Sequence, residues 1–523
     1  ARACHGSPVL THRGESNSAY AIWAADDPHA QAYAVLFTPE SQRMVQALNL
    51  GNAPDAAAKA DRCLACHSLP VSGARTADAR GNVSVLLSDG VSCEACHGPA
   101  EKYLAAHTMQ GWHPPGDSQF DSSLRMKNTV DIASRAKICA GCHVGQPDAE
   151  GRPWRDVNHD LIAAGHPRLN FDFAAYMATL PAHWNAKKHP ERFDELHSLV
   201  AGQFMTADAA LKVLETRANA AKQPAISTNA DKSYETMPFV SATWPEFSEY
   251  DCFACHHDLR GRSWRQQLIQ PGDNPLRSSA ADSTDAPQPK RGSPGWGTWY
   301  FETPRILAHT PAIISPTDGK HWLASLNQLT LAMQSPAPEP AKVTALAHDS
   351  GVNLETAWSS SPWSALLTAP TADPQSLRTA LLKSLATEFK RHRPSDWDQF
   401  VQYYLALVAI ERSQNPTDVT GPIASASAAH PTPIDEVLLE IRNRLSFPSD
   451  EEAASGNSTD ARSKTPLAGS KSILRILRQG FNSPLKFDPD AKQEGAARGD
   501  LAGKNLAELF DEAFRLLGDP KPT

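Results

Sequence analysis

Cys63-Leu64-Ala65-Cys66-His67, Cys93-Glu94-Ala95-Cys96-His97 and Cys139-Ala140-Gly141-Cys142-His143 follow one another within residues 62–144, and Cys252-Phe253-Ala254-Cys255-His256 repeats the pattern further on. Each reads Cys-x-x-Cys-His, the attachment signal for c-type haem. Two thiols add to the two vinyl groups of one porphyrin, and the adjacent imidazole is held beneath the iron. With 9 Cys and 20 His among 523 residues, chance would supply roughly 0.006 copies, so the repetition is not accidental. Disulfides would not explain a His after every second Cys, and zinc would ask for a second ligand pair at matching distance.

The four motifs leave one cysteine over, in Ala1-Arg2-Ala3-Cys4-His5, where Ala1 stands in the place of the first Cys. A haem held by one thioether, a first Cys upstream of residue 1, and a longer Cys-x-x-x-Cys-His spacing all fit. The alternative is a lone thiol beside a surface His. Counting this site, five c-type haems are expected. Cys4, Cys63, Cys66, Cys93, Cys96, Cys139, Cys142, Cys252 and Cys255 are the attachment points, and His5, His67, His97, His143 and His256 the proximal ligands.

Between the motifs Gly, Ser and Asp are frequent and apolar runs are short, so the porphyrins themselves are expected to form much of the core of this part. The formal charge of −8 offers no basic field for nucleic acid. No window holds the 18 or so uninterrupted apolar residues of a membrane-spanning helix. No secretory signal precedes Cys4, and because haem is attached to such motifs outside the cytoplasmic membrane, a periplasmic or extracellular location is expected, with any signal removed.

Second ligands are sought among the other histidines. Asp27-Pro28 reads as a helix start, which puts His29 in the first turn of a helix over 28–37. A short helix over 100–109 holds His107, and His113 lies in the Pro-flanked loop that ends it. Asn158 caps a short helix closed by Gly165 and Pro167, leaving His159 and His166 about two turns apart at its ends, ahead of Leu169, Phe171 and Phe173. A long amphipathic helix is expected over 191–222, with His197 on its surface. His257 follows His256 directly, so its ring points away from that haem and can serve only a different one.

A Ser/Pro/Asp/Ala-rich linker over 278–294 divides the chain into a multihaem domain, 1–277, and a haem-free docking domain, 295–523. The latter has helical periodicity near 320–334, 376–391, 396–412, 433–445, 470–478 and 505–517, and a second polar linker over 449–466. The stripe Trp397, Phe400, Tyr403 and Tyr404 reads as helix-packing core. The fold class expected is mainly α.

The sequence Cys93-Glu94-Ala95-Cys96-His97-Gly98-Pro99 with His107 ten residues beyond His97, the Pro28-His29-Ala30 element, and the spacing of the first four sites resemble the tetrahaem cytochrome that accepts electrons from hydroxylamine oxidoreductase, and its wider multihaem family. The likeness covers roughly residues 1–260. It implies a mainly helical fold, haems in close stacked and angled pairs, two His on most irons, and ligand roles for His29 and His107. His257 resembles the second His of Cys-His-His in small tetrahaem cytochromes. The chain departs from these patterns at Ala1 and in its long C-terminal half.

Five proximal and five distal candidates, the latter being His29, His107, His159, His166 and His257, point to a carrier of single electrons with both axial positions filled. Redox proteins or a respiratory complex are the expected partners, and self-assembly into a conductive filament is the structural alternative. The enzymatic alternative is a nitrite- or hydroxylamine-type oxidoreductase with one open iron; the Cys-x-x-Cys-Lys variant of pentahaem nitrite reductases is absent.

Overall fold

A computed structural model describes residues 5–6, 18–69, 87–148, 153–184, 195–222, 244–252, 287, 295–297, 299–364, 374–394, 396–414, 432–445, 501 and 504–518. It is mainly helical, as expected, and falls into two compact units. The first draws on Ala1–His166 and Leu180–Glu246, the second on Pro167–Thr179, Phe247–Thr417 and Pro422–Thr523. The second unit thus takes in Cys252, on the N-terminal side of the boundary read from the sequence at residue 277. Tyr250 anchors this strand, its hydroxyl donating to the Met333 carbonyl at 2.9 Å while its backbone bridges to Trp296.

In chain order the helices run α1 (Ala19–Asp26), α2 (Pro39–Ala47), α3 (Asp61–His67), α4 (Cys93–His97), α5 (Tyr103–Ala106), α6 (Ile132–His143), α7 (His159–Ala163), α8 (Phe173–Met177) and α9 (Glu195–Ala221). A two-stranded antiparallel pair, β1 (Gln146–Pro147) and β2 (Pro153–Arg155), follows α6. The helix expected over 28–37 is instead two tight 3-10 turns, Pro28–Gln31 and Ala34–Phe37. Asp27 accepts from the His29 N–H at 2.9 Å and opens the first of them, so the cap is where the sequence places it although the helix is tighter.

The core of the first unit has two parts. Leu36, Val45 and Ala56–Ala58 form a small cluster against which Cys63 and Leu64 of α3 pack. The longer α9 lies along α6, burying Leu196, Leu199, Val200, Phe204, Leu211 and Leu214. Apolar side chains at steps of three and four explain why this stretch is a helix and which face it hides. His197, on the same helix, is half-buried rather than on the surface.

The second unit carries α10 (Glu302–Ala308), α11 (Pro316–Met333), α12 (Pro340–Ser359), α13 (Pro374–Arg391), α14 (Trp397–Gln414), α15 (Pro433–Leu445) and α16 (Leu506–Gly518). Neither α10 nor α12 was foreseen, although Pro340 at the first helical position is the usual start signal. The expected segment 470–478 and both linkers lie outside the described residues, save Pro287. Helix α14 is central, buried from Phe400 to Ile410. The aromatic stripe is core, as read: Phe389 meets Tyr403 at 5.1 Å and Phe510 at 5.2 Å, and Trp397 stacks on Trp299 at 6.2 Å.

Within this unit Arg168 Nη1 donates to both oxygens of Asp398, at 2.9 and 3.2 Å, with the aspartate side chain only 4% exposed. Removing one partner would strand a buried charge. Asp398→Ala is therefore expected to cost about 3 kcal/mol or more, and a double change of Arg168→Met and Asp398→Leu to cost less, both read as denaturant midpoints.

Candidate haem sites

Helices α3, α4 and α6 each end at the histidine of a Cys-x-x-Cys-His motif. In a helix, residues three and four apart share a face, so each pair of thiols and its following imidazole point to one side. Asp131 caps α6 by accepting from the Ser134 N–H at 2.7 Å, which sets where its motif begins and ends. The described cysteines, Cys63, Cys66, Cys93, Cys96, Cys139, Cys142 and Cys252, are all free thiols. Burial pushes Cys63 and Cys96 up to about 11 and Cys139 up to about 12. Thiols held neutral in this way fit thioether formation, which leaves no charge to bury, whereas Cys142 is brought down to about 6 by the hydrogen bond from Cys66.

The motif histidines meet other imidazoles in twos. Ring centroids lie 6.5 Å apart for His5 and His107, 6.4 Å for His67 and His166, 6.5 Å for His97 and His183, and 6.0 Å for His143 and His29. Metal–imidazole bonds are about 2 Å long and a ring nitrogen lies about 1 Å from its ring centre, so two imidazoles on opposite sides of one metal ion have centroids about 6 Å apart. All four separations match that distance. Among the described residues no three or more His, Cys, Asp or Glu converge as a metal cluster, which is the arrangement zinc would require.

Local structure explains each approach. His166 is brought to His67 because the short helix α7 is fastened beside α3: Arg62 donates to the Asn158 side chain, and Arg155 Nε donates to the Ala65 carbonyl at 2.8 Å. Asn158 caps α7 as expected, accepting from the Leu161 N–H at 3.1 Å. His159 opens the same helix, its N–H donating to Glu246 Oε1 at 2.7 Å. His107 stands at the C-terminal end of α5, which is tied to the motif ending at His97 by the Tyr103 hydroxyl donating to the Gly98 carbonyl at 2.9 Å. His29 is clamped from two sides, by the Val91 N–H donating to its carbonyl at 3.0 Å and by Trp23 Nε1 donating to the Val91 carbonyl at 3.2 Å.

At three of these histidines one ring nitrogen is committed to a backbone carbonyl. Nδ1 of His67 lies 2.8 Å from the Ala32 carbonyl, that of His107 3.1 Å from the Tyr103 carbonyl, and that of His183 3.4 Å from the Pro181 carbonyl. A carbonyl only accepts, so Nδ1 carries the proton and Nε2 keeps its lone pair. His97 is pushed down to about 4 by burial and by the nearby His183 and His5, which keeps it neutral as a ligand must be. Burial likewise lowers His67 and His183.

His183 was missed by sequence reasoning. It sits in Leu180-Pro181-Ala182-His183-Trp184, a Pro-fixed, aromatic-flanked setting like that of His166, and that likeness was the available signal. His113 is exposed and pairs with Asp117 at 3.2 Å, as a loop histidine should. Cys4, Cys255, His256 and His257 lie outside the described residues.

Sites with different motifs are close together. The Cys66 thiol lies within hydrogen-bond reach of Cys142, and donation to that sulfur together with burial holds Cys66 well above its usual range. Cys142 is also near enough to Cys96 to help raise it. The loop before Cys93 turns at Gly90, whose φ is +60°; a Cβ there would stand 2.6 Å from the His29 carbonyl. Gly90→Ala is expected to destabilise the first unit by more than about 1 kcal/mol and to displace His29, read as a lowered melting temperature.

Residues 2–98 match a family model described as cytochrome c554 and c-prime. No curated protein and no solved structure matches the chain. The matched region holds Cys4-His5 and the first two complete motifs, a shorter span than the resemblance over residues 1–260. With the motifs and paired imidazoles, the match supports a multihaem c-type cytochrome, a protein that holds haem covalently and transfers electrons.

Proposed function

We propose that this chain is a pentahaem electron carrier whose haems have imidazoles on both faces, passing single electrons between extracytoplasmic redox partners. The observation that carries this reading is the approach of a second imidazole to each of four motif histidines at 6.0–6.5 Å. His5 with His107, His67 with His166, His97 with His183 and His143 with His29 would hold four haems. For the fifth motif, ending at His256, the sequence candidate His159 stands, while His257 can serve only a haem other than that of His256.

Bound haem would supply a one-electron ferric/ferrous couple. The chain's part is to hold the ligands still. Nδ1–H bonds to backbone carbonyls fix ring orientation at His67, His107 and His183, so the ligand frame changes little between oxidation states. Filled axial positions favour transfer over substrate chemistry. The proximity of Cys66, Cys142 and Cys96 supports haems near enough for rapid exchange.

Pyridine haemochrome analysis should give five haems per chain; four would remove the Cys4-His5 site. Electron paramagnetic resonance of the oxidised protein should show low-spin iron only, and a high-spin ferric signal would favour the enzymatic alternative. The rings of His5 and His107 are 19° from parallel while the other pairs are 72–88° apart. One rhombic and several strongly axial low-spin signals are therefore expected. His183→Ala should leave every thioether intact and turn one centre high-spin, whereas an unchanged spectrum would strike His183 from the ligands.

A further inference from the structure

His67, His107 and His183 give their Nδ1–H to neutral backbone carbonyls, but His29 gives its own to a carboxylate, Asp27 Oδ1, at 2.9 Å. That carboxylate is only 6% exposed. Its position is set by the backbone: the same oxygen accepts the His29 N–H at 2.9 Å, and the Asp27 N–H donates to the Trp23 carbonyl at 3.2 Å. Its charge also reaches His183, the ring opposite His97. One buried anion is therefore bonded to the second imidazole of one site and lies within electrostatic range of that of another.

An anionic acceptor draws the Nδ1 proton and makes Nε2 a stronger donor. A negative charge in a poorly screened interior also favours the more positive oxidation state of nearby iron. We propose that Asp27 is a potential-setting residue: it lowers the reduction potential of the site formed by His29 and His143 most, and that of His97 and His183 less, so that the former is held ferric as electrons enter. This rests on the reading that these histidines are paired axial ligands.

The test uses the full haem-loaded chain, with redox titration followed by electron paramagnetic resonance. Asp27→Asn keeps an oxygen to accept the His29 N–H and cap the turn but removes the charge. At a fixed ambient potential the ferric-to-ferrous ratio of one low-spin centre should fall at least tenfold, a rise in midpoint of about 59 mV. A second centre should move by less and the rest should stay, while Asp27→Glu should restore the low midpoint in part. Should Asp27→Asn fail to take up haem, Asp27→Ser, which also keeps a capping oxygen, is read in the same way. Unmoved midpoints, or all centres shifting alike, would overturn the inference. His29→Ala separates the two layers of the argument. If it creates no high-spin centre, the axial-ligand reading fails; if it does, the low-spin signal it removes identifies the centre that Asp27 must shift.

Discussion

Four pairs of imidazoles with ring centroids 6.0–6.5 Å apart are the recurring feature of the first unit, and the proposed haem sites depend on them. Buried histidines have no reason to face one another at that separation for their own sake. Desolvation holds His67, His97 and His183 neutral, so no charge attraction draws these rings to their partners. The spacing recurs at His5, His67, His97 and His143, each time between a motif histidine and one distant in sequence, and it equals the spacing that a shared metal ion would give.

Short elements suit this purpose. Helices α3 and α4 are seven and five residues long, and the His29 segment is a four-residue 3-10 turn. Isolated pieces of that length are unstable in water. They are held instead by caps and cross-links: Asp27 and Asn158 at helix starts, Arg62 and Arg155 between α3 and the His159–His166 segment, and Lys127, whose backbone N–H and side chain donate to the carbonyls of His97 and Ala95 at 2.9 and 3.0 Å. The long α9 packed on α6 supplies the apolar burial that the motif helices lack.

The second unit follows different physics. Most of its helices are longer, its core is a cluster of Phe, Tyr, Trp and Leu around α14, and it pairs Arg168 with Asp398 and Arg444 with Glu440. Unit two could be anticipated as helical because amphipathic periodicity over a dozen or more residues is a local property. Helix α12 escaped notice because its buried positions, Val343, Ala347, Ser350, Leu354 and Ala357, include small and polar residues that weaken the pattern.

Haem attachment was determined by the sequence alone, because thioether chemistry needs two cysteines and a histidine within five consecutive residues. The caps at Asp27 and Asn158 were also legible, since capping depends on residues two or three positions away. Which imidazole faces which motif was not legible. His67 meets His166 and His97 meets His183 across long stretches of chain, and only the packing of α3 against the α7 segment, and of the chain around residue 183, brings those rings within reach. The carboxylate beside His29 shows both halves of this. That Asp27 caps the turn follows from Asp-Pro-His, but that the cap is buried against the His29 ring and within electrostatic range of His183 was decided by the tertiary structure, because burial and charge proximity depend on what the rest of the chain places around it.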